Sequence, residues 1–82
     1  MRLAYVRHAE QQMRRRGITK ADVSEVLTEH RRRGVSYLSK DHADRMVYEV
    51  NLEGGRLVVV TSPPVEDTSP TGEVLIITAY WR

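Results

Sequence analysis

Two periods divide this chain. After a short extended segment at residues 2–6, apolar positions recur at helical spacing as far as residue 34, and from Val35 onward they alternate. A first helix over residues 8–16 has a thin apolar face of Val6, Ala9 and Met13. Gly17 supplies the left-handed residue that ends many helices, and Arg14-Arg15-Arg16 suit the negative end of its dipole. Thr19-Lys20-Ala21-Asp22 reads as an N-cap with an acidic residue at N3, a capping-box variant. The second helix carries Val23, Val26, Leu27 and His30 on one stripe, with Ile18 just before its cap. Arg31-Arg32-Arg33-Gly34 closes it.

Residues 35–38 read as a strand. Met46, Tyr48, Val50 and Leu52 then alternate with Val47, Glu49, Asn51 and Glu53. Gly54-Gly55 before Arg56 predicts a hairpin with both glycines in the turn. That register sets Leu52 opposite Leu57, Val50 opposite Val59 and Tyr48 opposite Thr61, with a weak Glu53–Arg56 ion pair. Residues 62–72 hold all three prolines and are expected to form a poorly ordered loop. Residues 74–81 are apolar on both faces, which predicts a central strand covered on both sides.

The order is β-α-α-β-β-β, with room for one more strand. The class is α+β: two N-terminal helices packed on one face of a three- to five-stranded, mainly antiparallel sheet, in one domain over 1–82. The opposite face or an edge is then open to a ligand.

At 82 residues there is room for one modest core and not for a doubly wound cofactor sheet. Without cysteine there is no disulfide framework and no thiolate metal site. No apolar run approaches a bilayer span, and charges at Arg2, Arg7 and Glu10 interrupt any leader-like start, so the expectation is a cytoplasmic protein without membrane contact. The net charge of +2 is unevenly placed. Residues 1–45 hold 11 Lys/Arg against 6 Asp/Glu, whereas 46–82 hold 2 against 5. A basic half suggests an anionic partner; alternatively the halves neutralise each other across their interface.

Histidine beside arginine is equipment for handling a phosphodiester, one group moving protons and the other stabilising charge. At helical spacing Gln12 lies about 40° and Arg15 about 20° from His8, so the three share a stripe, with Arg16 nearer the core boundary. Imidazole 8 and a guanidinium from its own helix are expected to converge on a hollow beside the last strand. The same residues also suit a solvated surface helix. His30 reads as a boundary residue, and His42 lies in a polar turn. Three scattered histidines lack metal-type spacing, and no glycine-rich phosphate loop is present, so neither a metal nor a cofactor is expected. The triplets ending at Arg16 and Arg33, Arg32 among them, serve either as a nucleic-acid footprint or as ordinary helix-end charge. Tyr48, Thr78 and Tyr80 are strand residues that either touch RNA or pack.

His8-Ala9, Arg16-Gly17-Ile18 and Ile77-Thr78-Ala79-Tyr80-Trp81 resemble a bacterial family of small proteins of unknown function. That family is similar to the RelE-like and BrnT-like ribonuclease toxins, which share a fold with barnase, EndoU and the colicin ribonucleases. The resemblance implies helices on an antiparallel sheet, a metal-independent RNA-cleaving site and an antitoxin or immunity partner. It carries over His8, Arg16 and Thr78 as catalytic positions, with Tyr80, Tyr48, Arg15, Gln12 and Arg32 as RNA contacts. Gln12 departs from the arginine often found four residues after the histidine, and Arg15 stands on the same stripe to replace it. A non-catalytic module binding nucleic acid or protein is the alternative, and an exposed strand edge would allow a homodimer.

Overall fold

The computed structural model describes residues 1–82. The chain runs β1 (Arg2–Tyr5), α1 (Arg7–Arg16), α2 (Lys20–Arg33), β2 (Gly34–Leu38), β3 (Met46–Leu52), β4 (Gly55–Ser62), a short 3-10 turn (Val65–Asp67) and β5 (Glu73–Trp81). It is an α+β domain with a five-stranded mixed sheet in the order β1-β5-β4-β3-β2. β1 pairs parallel to β5, and the remaining neighbours are antiparallel.

Local chemistry sets the helix boundaries. Gly17 adopts φ 67°, and its N–H reaches the Met13 carbonyl at the end of α1. Thr19 and Asp22 form the reciprocal capping box at the start of α2, each bond 3.0 Å long. One buried cluster joins Ala9 and Met13 of α1, Ile18, and Val23, Val26 and Leu27 of α2 to residues of the sheet. The sheet residues are Tyr48 and Val50, Leu57 and Val59, at alternate positions of β3 and β4, with Ile76 and Ala79 of β5.

Three expectations about the strands are corrected. The hairpin turn is Glu53-Gly54, so Leu52 faces Gly55, Val50 faces Leu57 and Tyr48 faces Val59. Of the two hairpin glycines only Gly55 takes a positive φ, 135°. The slip is by two positions, which keeps every side chain on its expected face. Arg56 accordingly leaves Glu53 and pairs with Glu49.

β5 is an interior strand, between β1 and β4, but it is not covered on both sides, since Leu75 is 38% exposed. β4 is the middle strand and buries Leu57, Val58 and Val59 completely. In the β4–β5 ladder the register shifts between Val60 and Thr61 of β4, which leaves Ile77 of β5 as the extra residue. That bulge lets Ile76 and Ala79, three apart, both enter the core, while Thr78 and Tyr80 face the other way.

The proline-bearing segment is held at several points. The Tyr48 hydroxyl accepts from the Val65 N–H at 2.7 Å and donates to Glu66 at 3.1 Å. Thr61 and Thr68 hydroxyls donate to the carbonyls of Pro63 and Pro64, and the Met1 ammonium meets the Pro70 carbonyl. No helix is long and apolar enough to cross a membrane.

Candidate functional site

Alternation along the strands gives the sheet a second set of side chains, opposite to the core set. In register these form rows: Val35, Glu49, Val58 and Tyr80 in one, and Tyr37, Val47, Val60 and Thr78 in the next. A third row brings Asn51 beside Arg56. This reverse face carries the one acidic side chain of the domain that is buried.

Glu49 is only 6% exposed at its side chain, and both of its oxygens are engaged. Oε1 accepts from Arg56 Nε at 2.7 Å. Oε2 accepts from the Tyr37 hydroxyl and lies 3.1 Å from Arg82 Nη2. Arg56 also donates to Asn51 Oδ1 at 3.1 Å, and its backbone carbonyl accepts from the Arg82 N–H at 2.8 Å, which ties the chain end to β4. Burial alone would raise the Glu49 carboxyl; the Tyr37 hydroxyl and the two guanidiniums outweigh it and hold the group below the ordinary carboxylate range. The hydrogen bond to Glu49 in turn raises the Tyr37 phenol, so that hydroxyl stays protonated. Glu49 raises Arg82, and Tyr80 adds to the same shift.

The result is layered. A carboxylate lies at the floor, and above it two guanidiniums remain in contact with water, with side-chain exposures of 30% for Arg56 and 54% for Arg82. A buried carboxylate needs such partners, since an unpaired one would be neutralised. The guanidiniums keep donors free for a second anion, because each has five N–H groups and one carboxylate accepts few of them.

Arg16 and Tyr80 meet each other at the end of α1. The Arg16 guanidinium donates from Nη1 to the Ala79 carbonyl at 3.1 Å and lies 6.0 Å from the Tyr80 ring centre. The Trp81 indole N–H donates to the Arg16 carbonyl at 2.9 Å, fixing the end of α1 against β5. Thr78 and Tyr80 point to the reverse face, each half-buried.

His8 stands exposed in the first turn of α1. Eight residues of helix, roughly 12 Å of rise, separate it from Arg16. Two shallow hollows lie along α1, one lined by Glu10, Met13, Arg14, Ile18 and Lys20 and the other by Gln11, Arg14 and Arg15. Neither includes His8 or Arg16, so the expected hollow shared by those two does not form. Gln12 is half-buried, Arg15 is exposed, and Arg32 is an exposed partner of Glu29 at 3.7 Å.

Tyr48 is fully buried, its ring edge-on to His30 with centres 4.7 Å apart, so it has no open face to stack a base. His30 is likewise buried rather than at the boundary, 3.5 Å from Glu66.

The chain matches, over residues 5–81, the model of a family described as Domain of unknown function (DUF4258). The chain belongs to that family. No curated protein and no solved structure matches it. The family match spans Tyr37, Glu49 and Arg56, as well as His8, Arg16 and Tyr80, and stops one residue before Arg82.

Glu49, Arg56, Arg82 and Tyr37 are the residues that sequence reasoning passed over. Glu49 alternates with core residues, and nothing in that pattern sets it apart from Asn51 or Glu53. Its partners lie 12, 7 and 33 positions away, and the true hairpin register was the only signal that could have joined it to Arg56.

Proposed function

We propose that this domain is a metal-independent endoribonuclease of the RelE-like or BrnT-like toxin type. Both helices cover the core face of the sheet, and RNA is worked on at the reverse face. The observation that carries this reading is the pair of water-accessible guanidiniums and the Tyr37 hydroxyl set over a buried carboxylate. A phosphodiester offers Arg56 and Arg82 a competing anion. As they turn to it, Glu49 is released to accept the proton of the 2′-hydroxyl. The 2′-oxygen attacks phosphorus, the bond to the 5′-oxygen breaks, and a 2′,3′-cyclic phosphate forms. The Tyr37 hydroxyl supplies the proton that the leaving 5′-oxygen takes. The guanidiniums stabilise the charge that builds on phosphorus-bound oxygen, the role a metal plays elsewhere. Arg16 and Tyr80 position the chain at the rim with Thr78, while His8, Gln12 and Arg15 hold flanking phosphates along α1. The partner that silences such an activity is an antitoxin or immunity protein, and the compartment is the cytoplasm.

The test is cleavage of single-stranded RNA by purified protein in excess chelator, with product ends identified. Wild type is expected to yield cyclic phosphate, and Glu49→Gln to lose about 100-fold or more in rate. Arg82→Ala is expected to lose a similar factor, and His8→Ala only binding strength. A His8→Ala loss equal to that of Glu49→Gln would return the chemistry to the helix. RNA left intact but bound, with affinity falling steeply as salt rises, would make the domain a binding module.

A further inference from the structure

The edge strand β2 has none of the protection that sheet edges ordinarily carry. Val35, Tyr37 and Leu38, exposed at 49%, 42% and 59%, are three of the five large apolar residues left open on the whole molecule, and they fall within a five-residue strand. It contains no charge and no proline. The opposite edge differs: β1 is four residues long, starts with Arg2 bound to Glu73, and packs Leu3 and Tyr5 against the core.

The free hydrogen-bonding groups of β2 can be assigned. Ser39 N–H bonds to the Arg45 carbonyl at 3.0 Å, in register with the β2–β3 ladder. Inward-bonding residues recur every second position in an antiparallel pair, so Tyr37 and Val35 bond to β3. Ser36 and Leu38 therefore aim their N–H and C=O groups outward. We propose that β2 pairs antiparallel with β2 of a second copy of this chain, about a two-fold axis at Ser36.

That register uses the whole strand. Ser36 exchanges two bonds with its counterpart, and each Leu38 N–H donates to the partner's Gly34 carbonyl. On the reverse face Val35 lies opposite the partner's Tyr37, an apolar pair at the closer, non-bonded spacing. On the other face Leu38 meets Gly34, which has no side chain to obstruct it. A two-fold interface requires such self-complementarity. Two of the arginines flanking the strand are already paired: Arg33 is bound to Glu25 at 3.0 Å and Arg32 lies 3.7 Å from Glu29, each inside its own chain. With no charge within the strand, a partner chosen by charge would have nothing to read there. The two reverse faces become continuous, and the partner's Val35 joins the rim beside Tyr37 and Glu49.

Sedimentation of the purified chain at rising concentration tests this. The expected mass is twice that of the chain, unchanged between low and high salt. Ser36→Pro removes only an outward donor, at an edge position where proline is tolerated, and is expected to give a folded monomer. Leu38→Lys, which changes no bond to β3, is expected to do the same. Circular dichroism checks that both variants fold. A wild type that stays monomeric to high micromolar concentration overturns the proposal. So does a dimer that survives both substitutions, and so does a heavier species containing a different polypeptide.

Discussion

Tyr48 does with one hydroxyl what a longer loop would need several residues to do. Fully buried beneath α2, it donates to Glu66 and accepts from the Val65 N–H, so the turn Val65–Asp67 is anchored to the floor of the core. Burial pushes its pKa up to about 12, which keeps the donor in place throughout the neutral range. Tyr48→Phe keeps the ring and strands the Val65 N–H. The expected cost is about 1–3 kcal/mol in urea unfolding, with faster amide exchange at Val65 than anywhere in β3. Composition alone marks residues 62–72 as a loose loop, because three prolines in eleven residues exclude a ladder. What that reading misses is a tyrosine seventeen residues upstream whose hydroxyl supplies the missing partner. Gly34 is another residue whose role is settled at short range: a Cβ there would come within 1.9 Å of the Glu49 carbonyl, so only glycine lets β2 approach β3.

Between elements, His30 is the hinge pin of the contact joining α2 to the 62–72 segment. Its ring sits against Tyr48 and its Nε2 lies 3.5 Å from Glu66. Burial lowers its pKa from the ordinary 6.5, although Glu66 pulls the other way. Between the lowered value and 6.5 the unfolded chain holds the extra proton and the folded chain does not. Stability from this group is therefore complete above about pH 6.5 and declines as pH falls through that window. Urea midpoints taken across this range are expected to drop toward acid in wild type and to lose most of that slope in His30→Gln. A slope of equal size in both would assign it to other groups. The helices themselves were readable because their signals are local: a capping box spans four residues, and a left-handed glycine acts on the turn before it. The strands were readable as faces but not as pairings. Composition favours Gly54-Gly55 as the turn, whereas the chain turns at Glu53-Gly54 with the positive φ at Gly55, and the Ile77 bulge has no composition signal at all.

At the scale of the molecule, the charge asymmetry between the two halves is only partly cancelled. Arg2 reaches Glu73 across the divide, while Arg33 and Arg32 find their carboxylates within α2. The acidic half contributes its buried carboxylate to the reverse face, and Arg56 and the chain-end Arg82 gather over it. The end of α1 supplies Arg16 beside Tyr80, whereas the buried carboxylate and its guanidiniums come from strands whose partners only folding brings together. The most direct measurement is amide chemical-shift mapping with a short 2′-O-methyl RNA, which binds without being cut. The expected shifts centre on Glu49, Arg56, Val58 and Tyr80, with smaller ones at Arg16. Shifts confined to the outer helix residues Arg14, Arg15, Arg31 and Arg32, or none at any RNA concentration, would contradict a phosphodiester site on the sheet.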